Sequence, residues 1–291
     1  MAKILGIGIA TLDIINHVSD YPAEDSEIRA LKQTICRGGN VTNTLTVLSQ
    51  LDHQCYWGGT LAAEPDADII VKELNHYSID TRYVKKHSGG KVPTSYILLN
   101  QSNGSRSIVH HRDLAEFSFQ DFKIIPLHEF DWVHFEGRNI EQTCDMLKWL
   151  KSTHAAIPCS VEFEKHRPGV ESLYPYADTL IFSKAYCQAS PAADPELFLA
   201  GMNKSYPQKT ILLSWGEKGA YAVSSNSDII FSPAIEQPNI KDTLGAGDSF
   251  NAAVIDALLA NNSLSKTLHS ANKLASYKIS VRGFNISQYV R

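Results

Sequence analysis

Near the C-terminus the chain reads KDTLGAGDSFNAAVIDALL over residues 241–259, so Gly245, Ala246, Gly247 and Asp248 stand directly before an apolar helical pattern. Glycines let the backbone turn and bring its N–H groups close to a ligand. The helix that follows, with Ala252, Ala253, Val254, Ala257 and Leu258 on its apolar side, points its positive end at the same place. An anion suits that position. A carboxylate in the first turn then faces the anion, as phosphoryl transfer to a hydroxyl requires: a base beside the attacking oxygen, with donors around the transferred group. The same residues also suit a plain turn with Asp248 as a helix cap, and the rest of the sequence has to separate the two readings.

Two other glycine sites compete for a phosphate role, and both fail on spacing. Gly6-Ile7-Gly8-Ile9-Ala10-Thr11 follows a strand-like run, but Thr11 stands where a dinucleotide fingerprint needs its third glycine, and Asp13 comes far too early to be the ribose acid. Gly90-Lys91 lacks both the following Ser/Thr and the glycine five positions earlier that a Walker A loop needs. Any nucleotide is held another way.

Bulk properties narrow the partners. The 291 residues carry a net charge of -4 and a pI near 6.3, with no basic excess to attract nucleic acid or an anionic membrane. A small molecule is the expected partner. No apolar run approaches the roughly 18 residues of a membrane span, and MAKILGIGIATLDII passes straight into patterned sequence with no cleavage region, so a cytoplasmic protein is expected. Five cysteines, Cys36, Cys55, Cys144, Cys159 and Cys187, are odd in number and form no CxxC pair, which points to reduced thiols rather than a disulfide framework or a zinc site.

The elements that must position these residues alternate in type. Short apolar runs at Ile4–Ile9, Thr179–Phe182 and Thr210–Ser214 read as buried parallel strands, and Asn40–Leu51 and Glu141–Lys151 read as amphipathic helices. That alternation predicts an α/β fold with a parallel sheet. Asp25–Gln33 and Thr94–Val109 break the rhythm. Both read as strands, the second folded at the hairpin signal Asn103-Gly104, and they suit either a sheet outside the main layer or ordinary surface hairpins.

DTLGAGDSFNA resembles the C-terminal signature of the PfkB, or ribokinase-like, carbohydrate kinases, and Arg37-Gly38-Gly39-Asn40-Val41-Thr42-Asn43 resembles that family's sugar-site motif. YPAEDSEIR, NGSRSI, EGRN and SVEFEK fall in the order and spacing of its ketohexokinase subgroup, so the likeness runs from about Gly6 to Gly283. It implies a three-layer α/β/α sandwich with a mainly parallel sheet, forming one kinase domain over residues 1–291 with a small β lid from roughly residues 13–37 and 89–112. The lid is also the expected homodimer surface.

The resemblance further assigns roles residue by residue. Asp13, Asp25, Gly39, Asn40 and Asn43 match sugar-binding positions, where carboxylates and amides read hydroxyls through paired hydrogen bonds. Arg106 on the lid hairpin matches an arginine that reaches the phosphates on closure, while Gly245, Ala246, Gly247 and Asp248 match the anion hole and base. Trp215, Gly216 and Gly219 match a segment near the ATP ribose, although Trp215 equally suits the core, and the stretch from Asn272 to Gly283 walls the adenine. Asp242, with the loop near Gly283, matches a monovalent cation site, so K⁺ joins ATP and Mg²⁺ as an expected cofactor. Glu162 and Glu164, two apart on a strand, share a face and suit either magnesium-bound waters or a solvated strand end. Ser183-Lys184-Ala185-Tyr186 stands where the wider family has Asn-x-x-Glu, a departure shared with the ketohexokinase subgroup that leaves the outer magnesium shell unassigned.

The expected reaction is transfer of the ATP γ-phosphoryl to a primary hydroxyl of a ketohexose, D-fructose giving fructose 1-phosphate. Two alternatives remain: a kinase for another sugar or a nucleoside, and a noncatalytic sugar or nucleotide sensor. The polar Asp25, Asn40 and Asn43 speak against an apolar nucleobase pocket, and a complete base and anion hole speak against a sensor.

Overall fold

The computed structural model describes residues 1–225 and 227–290. Its large sheet has eight strands in the spatial order Ile230–Pro233, Gly219–Ser224, Thr210–Ser214, Thr179–Phe182, Cys159–Phe163, Trp132–Glu136, Lys3–Ile7 and Gln54–Gly58. The last six run parallel, and the first two add an antiparallel edge. Alternate side chains of each parallel strand leave by opposite faces. Ile4 and Leu212 therefore enter one apolar layer, with the helices Asn40–Gln50, Ala246–Leu259 and Leu264–Ile279, while Leu5, Leu213, Val161 and Phe163 enter the other, with Ile140–Thr153 and Pro195–Ser205. Burial on both faces explains why these strands read as continuous apolar runs.

The strands Thr179–Phe182 and Thr210–Ser214 coincide with the sequence reading, and the first strand ends two residues early, at Ile7. The helix Asn40–Gln50 stops one residue short, with Leu51 as its C-cap.

A separate four-stranded sheet, in the order Lys32–Gly38, Thr11–Val18, Thr94–Asn100 and Arg106–His111, lies over the carboxyl ends of the large sheet's strands. The hairpin expected around Asn103-Gly104 forms, with Gly104 at φ 71° in its turn. The expected strand Asp25–Gln33 does not. Its first seven residues form an exposed loop in which Asp25 takes φ 57° and Ser26 Oγ donates to the Ala23 carbonyl at 2.7 Å, and extended pairing begins only at Lys32. A side chain-closed turn competes locally with the ladder there.

All five cysteines are free. Among the described residues no helix is long and apolar enough to cross a membrane.

Candidate active site

The helix Ala246–Leu259 begins where the sequence places the anion hole, and Gly245, not Asp248, occupies its N-cap. Two local constraints require glycine at position 245: its φ of 77°, and the Phe284 ring, which would lie 2.2 Å from a Cβ there. Gly247 differs. Beyond its chain neighbours and its own helical turn, a Cβ on it would meet no atom within 4 Å, because the residue borders an open cleft. Among the described residues the N–H groups of Gly245, Gly247 and Asp248 have no protein acceptor, as expected for the first turn of a helix. Ala246 N–H reaches only the Thr243 carbonyl, at 3.4 Å. These amides are available to an anion.

Asp248 stands in the same turn, makes no capping hydrogen bond and is 7% exposed. Its Oδ2 accepts from Asn43 Nδ2 at 2.8 Å, and Oδ1 has no protein partner among the described residues. Burial pushes its carboxyl up to about 7; Asn43's hydrogen bond and the Arg37 charge oppose that rise, and the nearby Glu164 and Glu136 charges add to it. A buried carboxyl titrating near neutrality, beside free amides, suits a general base. The capping reading is the weaker one, since the side chain caps nothing.

Below the small sheet the cleft is about 1060 Å³. Its floor lies at the carboxyl ends of parallel strands, where open α/β sheets bind ligands. Glu136 ends the strand Trp132–Glu136, Glu162 is the penultimate residue of Cys159–Phe163, and Ser214 ends Thr210–Ser214. Glu136 Oε2 accepts from Ile9 N at 2.7 Å, and burial raises its carboxyl, with the Arg138 charge opposing. Glu162 is buried with Oε2 lacking any hydrogen-bond partner, and burial together with the charges of Asp248, Glu136 and Glu164 holds its carboxyl well above the usual range. Glu164 lies just past the strand end, so the two glutamates expected on one strand face both reach the cleft, but only Glu162 from within the strand.

The expected sugar residues divide. Asp13, Gly39, Asn40 and Asn43 all line the cleft. Asp13 accepts from Thr11 Oγ1 at 2.8 Å, and Asn40 Nδ2 donates to Glu164 Oε2 at 3.2 Å. Gly39 is the N-cap of the helix Asn40–Gln50 at φ 108°, with the Ile9 carbonyl 2.3 Å from where a Cβ would stand, so no other residue fits. Asp25 is not brought to the cleft; it stays exposed on the loop before Lys32. Arg106 lines the cleft from the strand Arg106–His111 at the edge of the small sheet and is exposed. Cys36 also lines it, but burial pushes its thiol up to about 12, which leaves it a thiol at neutral pH.

The nucleotide assignments fare differently. Trp215, Gly216, Gly219 and Asn272 do not border this cleft, which Ser183 and Ser214 close on that side. Trp215 is 8% exposed and packs edge-on to Tyr221 with the Lys184 ammonium over its ring. Gly216 and Gly219, at φ 64° and 119°, shape the turn into the edge strand, and the Ser232 carbonyl would lie 2.2 Å from a Cβ on Gly219. Asn272 Nδ2 donates to the Ser232 and Pro233 carbonyls at 2.8 and 3.2 Å, tying its helix to the sheet edge.

At Asp242 the expected free oxygens for a monovalent cation are already partnered. Lys278 Nζ, on a fully buried side chain, donates to the Asp242 carbonyl oxygen at 3.0 Å and to its Oδ2 at 2.9 Å. Gly283 N also donates to Oδ2, and Leu244 N to Oδ1. The residues present do not fit a potassium ion at Asp242: an ammonium group fills that position.

Three groups went without an assigned role in the sequence reading. Glu136 was signalled only by its place in EGRN, Arg37 only by its neighbours in RGGNVTN, and Lys278 by nothing local.

The arrangement can therefore hold an anion on helix amides, take a proton from a hydroxyl at Asp248 and read a polyhydroxy ligand beneath the small sheet. The sequence model for the pfkB family carbohydrate kinases matches residues 1–289. The chain is 36% identical to mouse ketohexokinase over 97% of its length and 98% of that protein, and 22% identical to a Bacillus subtilis fructosamine kinase over 87% of each. Among solved structures, Arabidopsis thaliana ribokinase complexed with ribose and ATP superposes with a TM-score of 0.80 at 21% identity, covering 97% of this chain and 94% of that one. With the family model spanning residues 1–289, a relative 36% identical over nearly the whole of both chains and the fold in agreement, the chain belongs to the PfkB family of carbohydrate kinases and is a sugar kinase with the ribokinase-like α/β fold.

Proposed function

We propose that this kinase transfers the γ-phosphoryl group of ATP to the primary hydroxyl on carbon 1 of a ketohexose, D-fructose giving fructose 1-phosphate. The observation that carries the reading is Asp248: a buried carboxyl raised to about 7, with one oxygen held by Asn43 and the other unpartnered, in the same helical turn as the free amides. The choice of a ketose is supported by the likeness to mouse ketohexokinase over nearly the whole of both chains.

In the reaction, Asp248 Oδ1 takes the proton from the sugar hydroxyl as that oxygen bonds to the γ-phosphorus and the bond to the β-bridging oxygen breaks, releasing ADP. The amides of Gly245 and Gly247, with that of Asp248, stabilise charge on the transferring group, and Arg106 closes over the phosphates from the lid. Asp13, Asn40 and Asn43 orient the sugar. Asp25 enters this reading only if the loop before Lys32 moves or a second copy supplies it.

ATP-dependent transfer implies magnesium, which when bound neutralises charge on the β- and γ-phosphoryl oxygens. The unpartnered, buried Oε2 of Glu162 suits hydrogen bonding to a hard cation's waters, with Glu164 beside it. Potassium is left out, because Lys278 stands on Asp242. The nucleotide's adenine end lies toward Ser214, with the Gly216–Gly219 turn beyond it.

The same reading takes the whole chain as one kinase domain with the small sheet as its lid, and takes the lid as a homodimer surface. On the sheet face away from the cleft, Ile35, Ile14, Tyr96 and Val109 form a cross-strand row, and Ile35, Tyr96 and Val109 are exposed. The working compartment is taken to be the cytoplasm, in keeping with the five free thiols.

The test is a panel of sugars and nucleosides assayed by coupled ADP release, with NMR of the product. Fructose is expected to be turned over with phosphate on carbon 1. Phosphate on carbon 6, or turnover of adenosine and none of fructose, overturns the ketohexose assignment.

A further inference from the structure

One fully buried charge next to the site is not used by the reaction above. Arg37 ends on a guanidinium with no exposed surface. Nη1 donates to Thr42 Oγ1 at 2.7 Å and to Asn43 Oδ1 at 2.9 Å, Nη2 donates to Thr46 Oγ1 at 2.9 Å and lies 3.3 Å from Glu73 Oε1, and Nε has no partner. All three acceptors lie on one helix, Asn40–Gln50, and Glu73 is partly exposed. Burying a guanidinium against a single partly exposed carboxylate is a poor device for stability, since an apolar side chain of similar volume often does as well or better. The fork geometry, however, fixes its acceptors in a way a flexible ammonium cannot.

One of those acceptors leads to the reacting centre. Asn43 Oδ1 receives Arg37, and Asn43 Nδ2 donates to Asp248 Oδ2 at 2.8 Å. A carboxamide can turn over, exchanging its oxygen and nitrogen. Here the exchange would set its NH₂ against the guanidinium N–H groups and its oxygen against the carboxylate, so the Arg37 contact dictates which way Asn43 faces. With Oδ2 of Asp248 engaged by Asn43, Oδ1 is left for the sugar hydroxyl.

We propose that Arg37 is a positioning residue for phosphoryl transfer: it locks the Asn43 carboxamide so that its amino group holds Asp248 with Oδ1 presented to the acceptor hydroxyl. The inference rests on Asp248 being the base of the proposed reaction, and it makes Asn43 a holder of the base in addition to any contact with the sugar.

The experiment uses Arg37→Met, Asn43→Ala and the double variant, with kcat and KM measured on the best sugar acceptor found for the wild-type protein, whichever sugar that is. Arg37→Met is expected to lower kcat by about 10- to 100-fold, the range typical for loss of a supporting residue, while KM for the sugar stays within about threefold. Because Arg37 acts through Asn43, the double variant is expected to lose no more kcat than Asn43→Ala alone. If Arg37→Met does not fold, Arg37→Lys is measured the same way, alone and with Asn43→Ala. It keeps the charge and loses the fork, and a fall in kcat of about 5-fold or more is expected at unchanged KM. A folded Arg37 variant whose kcat stays within about twofold of wild type, with only its melting temperature lowered, overturns the proposal. So does a rise in KM at constant kcat, or a double variant whose losses multiply. The wild-type panel separates these outcomes from a wrong choice of substrate, because a protein that prefers another sugar still reports whether Arg37 sets its kcat.

Discussion

Replacing Asp248 by Asn separates catalysis from stability at one atom. Asparagine has nearly the same shape, can still be held by Asn43 and cannot accept the hydroxyl proton. The wild-type carboxyl is moved from 3.8 to about 7 chiefly by burial. A folded-state value raised above the unfolded one means that this group favours folding at low pH, and that the contribution is lost as pH rises through about 7. At about 1.36 kcal/mol per tenfold change in proton affinity, keeping Asp248 ionised at pH 8.5 costs the fold roughly 2–4 kcal/mol. Asp248→Asn is therefore expected to be at least as stable as wild type at pH 5, and more stable by up to that amount at pH 8.5. Its kcat is expected to fall by about 10²- to 10⁴-fold, a loss of roughly 3–5 kcal/mol of barrier lowering. Chemical denaturation at the two pH values gives the stability; single-turnover phosphorylation of the preferred sugar gives the rate. For the wild type the acid limb of the kcat profile should rise through about pH 7. An Asp248→Asn protein that phosphorylates at the wild-type rate, or that is destabilised equally at both pH values, refutes the base assignment.

Gly247→Ala places a methyl group where nothing beyond its chain neighbours and its own helical turn lies within 4 Å, so its melting temperature should stay within a few degrees of wild type while KM for ATP rises and kcat falls; unchanged kinetics would mean that the anion sits elsewhere. Gly245→Ala, by contrast, forces a Cβ against the Phe284 ring at positive φ and is not a clean probe. Lys278→Met removes the buried ammonium from Asp242 and leaves a partly buried carboxylate uncompensated, for an expected loss of about 2–4 kcal/mol in urea unfolding; a change under about 0.5 kcal/mol would show that the pair does not order this loop. Val109→Glu, on the outer lid row, should shift sedimentation from dimer to monomer at micromolar concentration without affecting the fold, and a monomeric wild type would remove the lid interface from the account.

Local chemistry made much of this protein readable from its sequence. The buried strands at Thr179–Phe182 and Thr210–Ser214 needed only their apolar runs, and the helix starting at Ala246 needed only its pattern and the glycine before it. The free amides follow from any helix start, and motif resemblance supplied the small separate sheet. The side-chain partnerships arose from distant segments. Asn43 and Asp248 are 205 residues apart, and their hydrogen bond exists because two helix starts meet at one end of the sheet. Burial at that meeting point raises the Asp248 carboxyl, an effect no local pattern encodes.

The same distance explains where the sequence reading and the structure part. Asp242 has the residue type and place of a cation ligand, yet Lys278, 36 positions on, reaches it from another helix. Asn272 has hydrogen-bonding groups suited to a nucleotide, but they meet the carbonyls of Ser232 and Pro233. Asp25 lies among strand-like residues, but a local turn leaves it in solvent. Sequence fixes which groups are available and, through short-range sterics, where helices and strands begin. Which donor meets which acceptor is decided only when the layers pack, because a hydrogen bond depends on distances of a few tenths of an ångström between residues the chain keeps far apart.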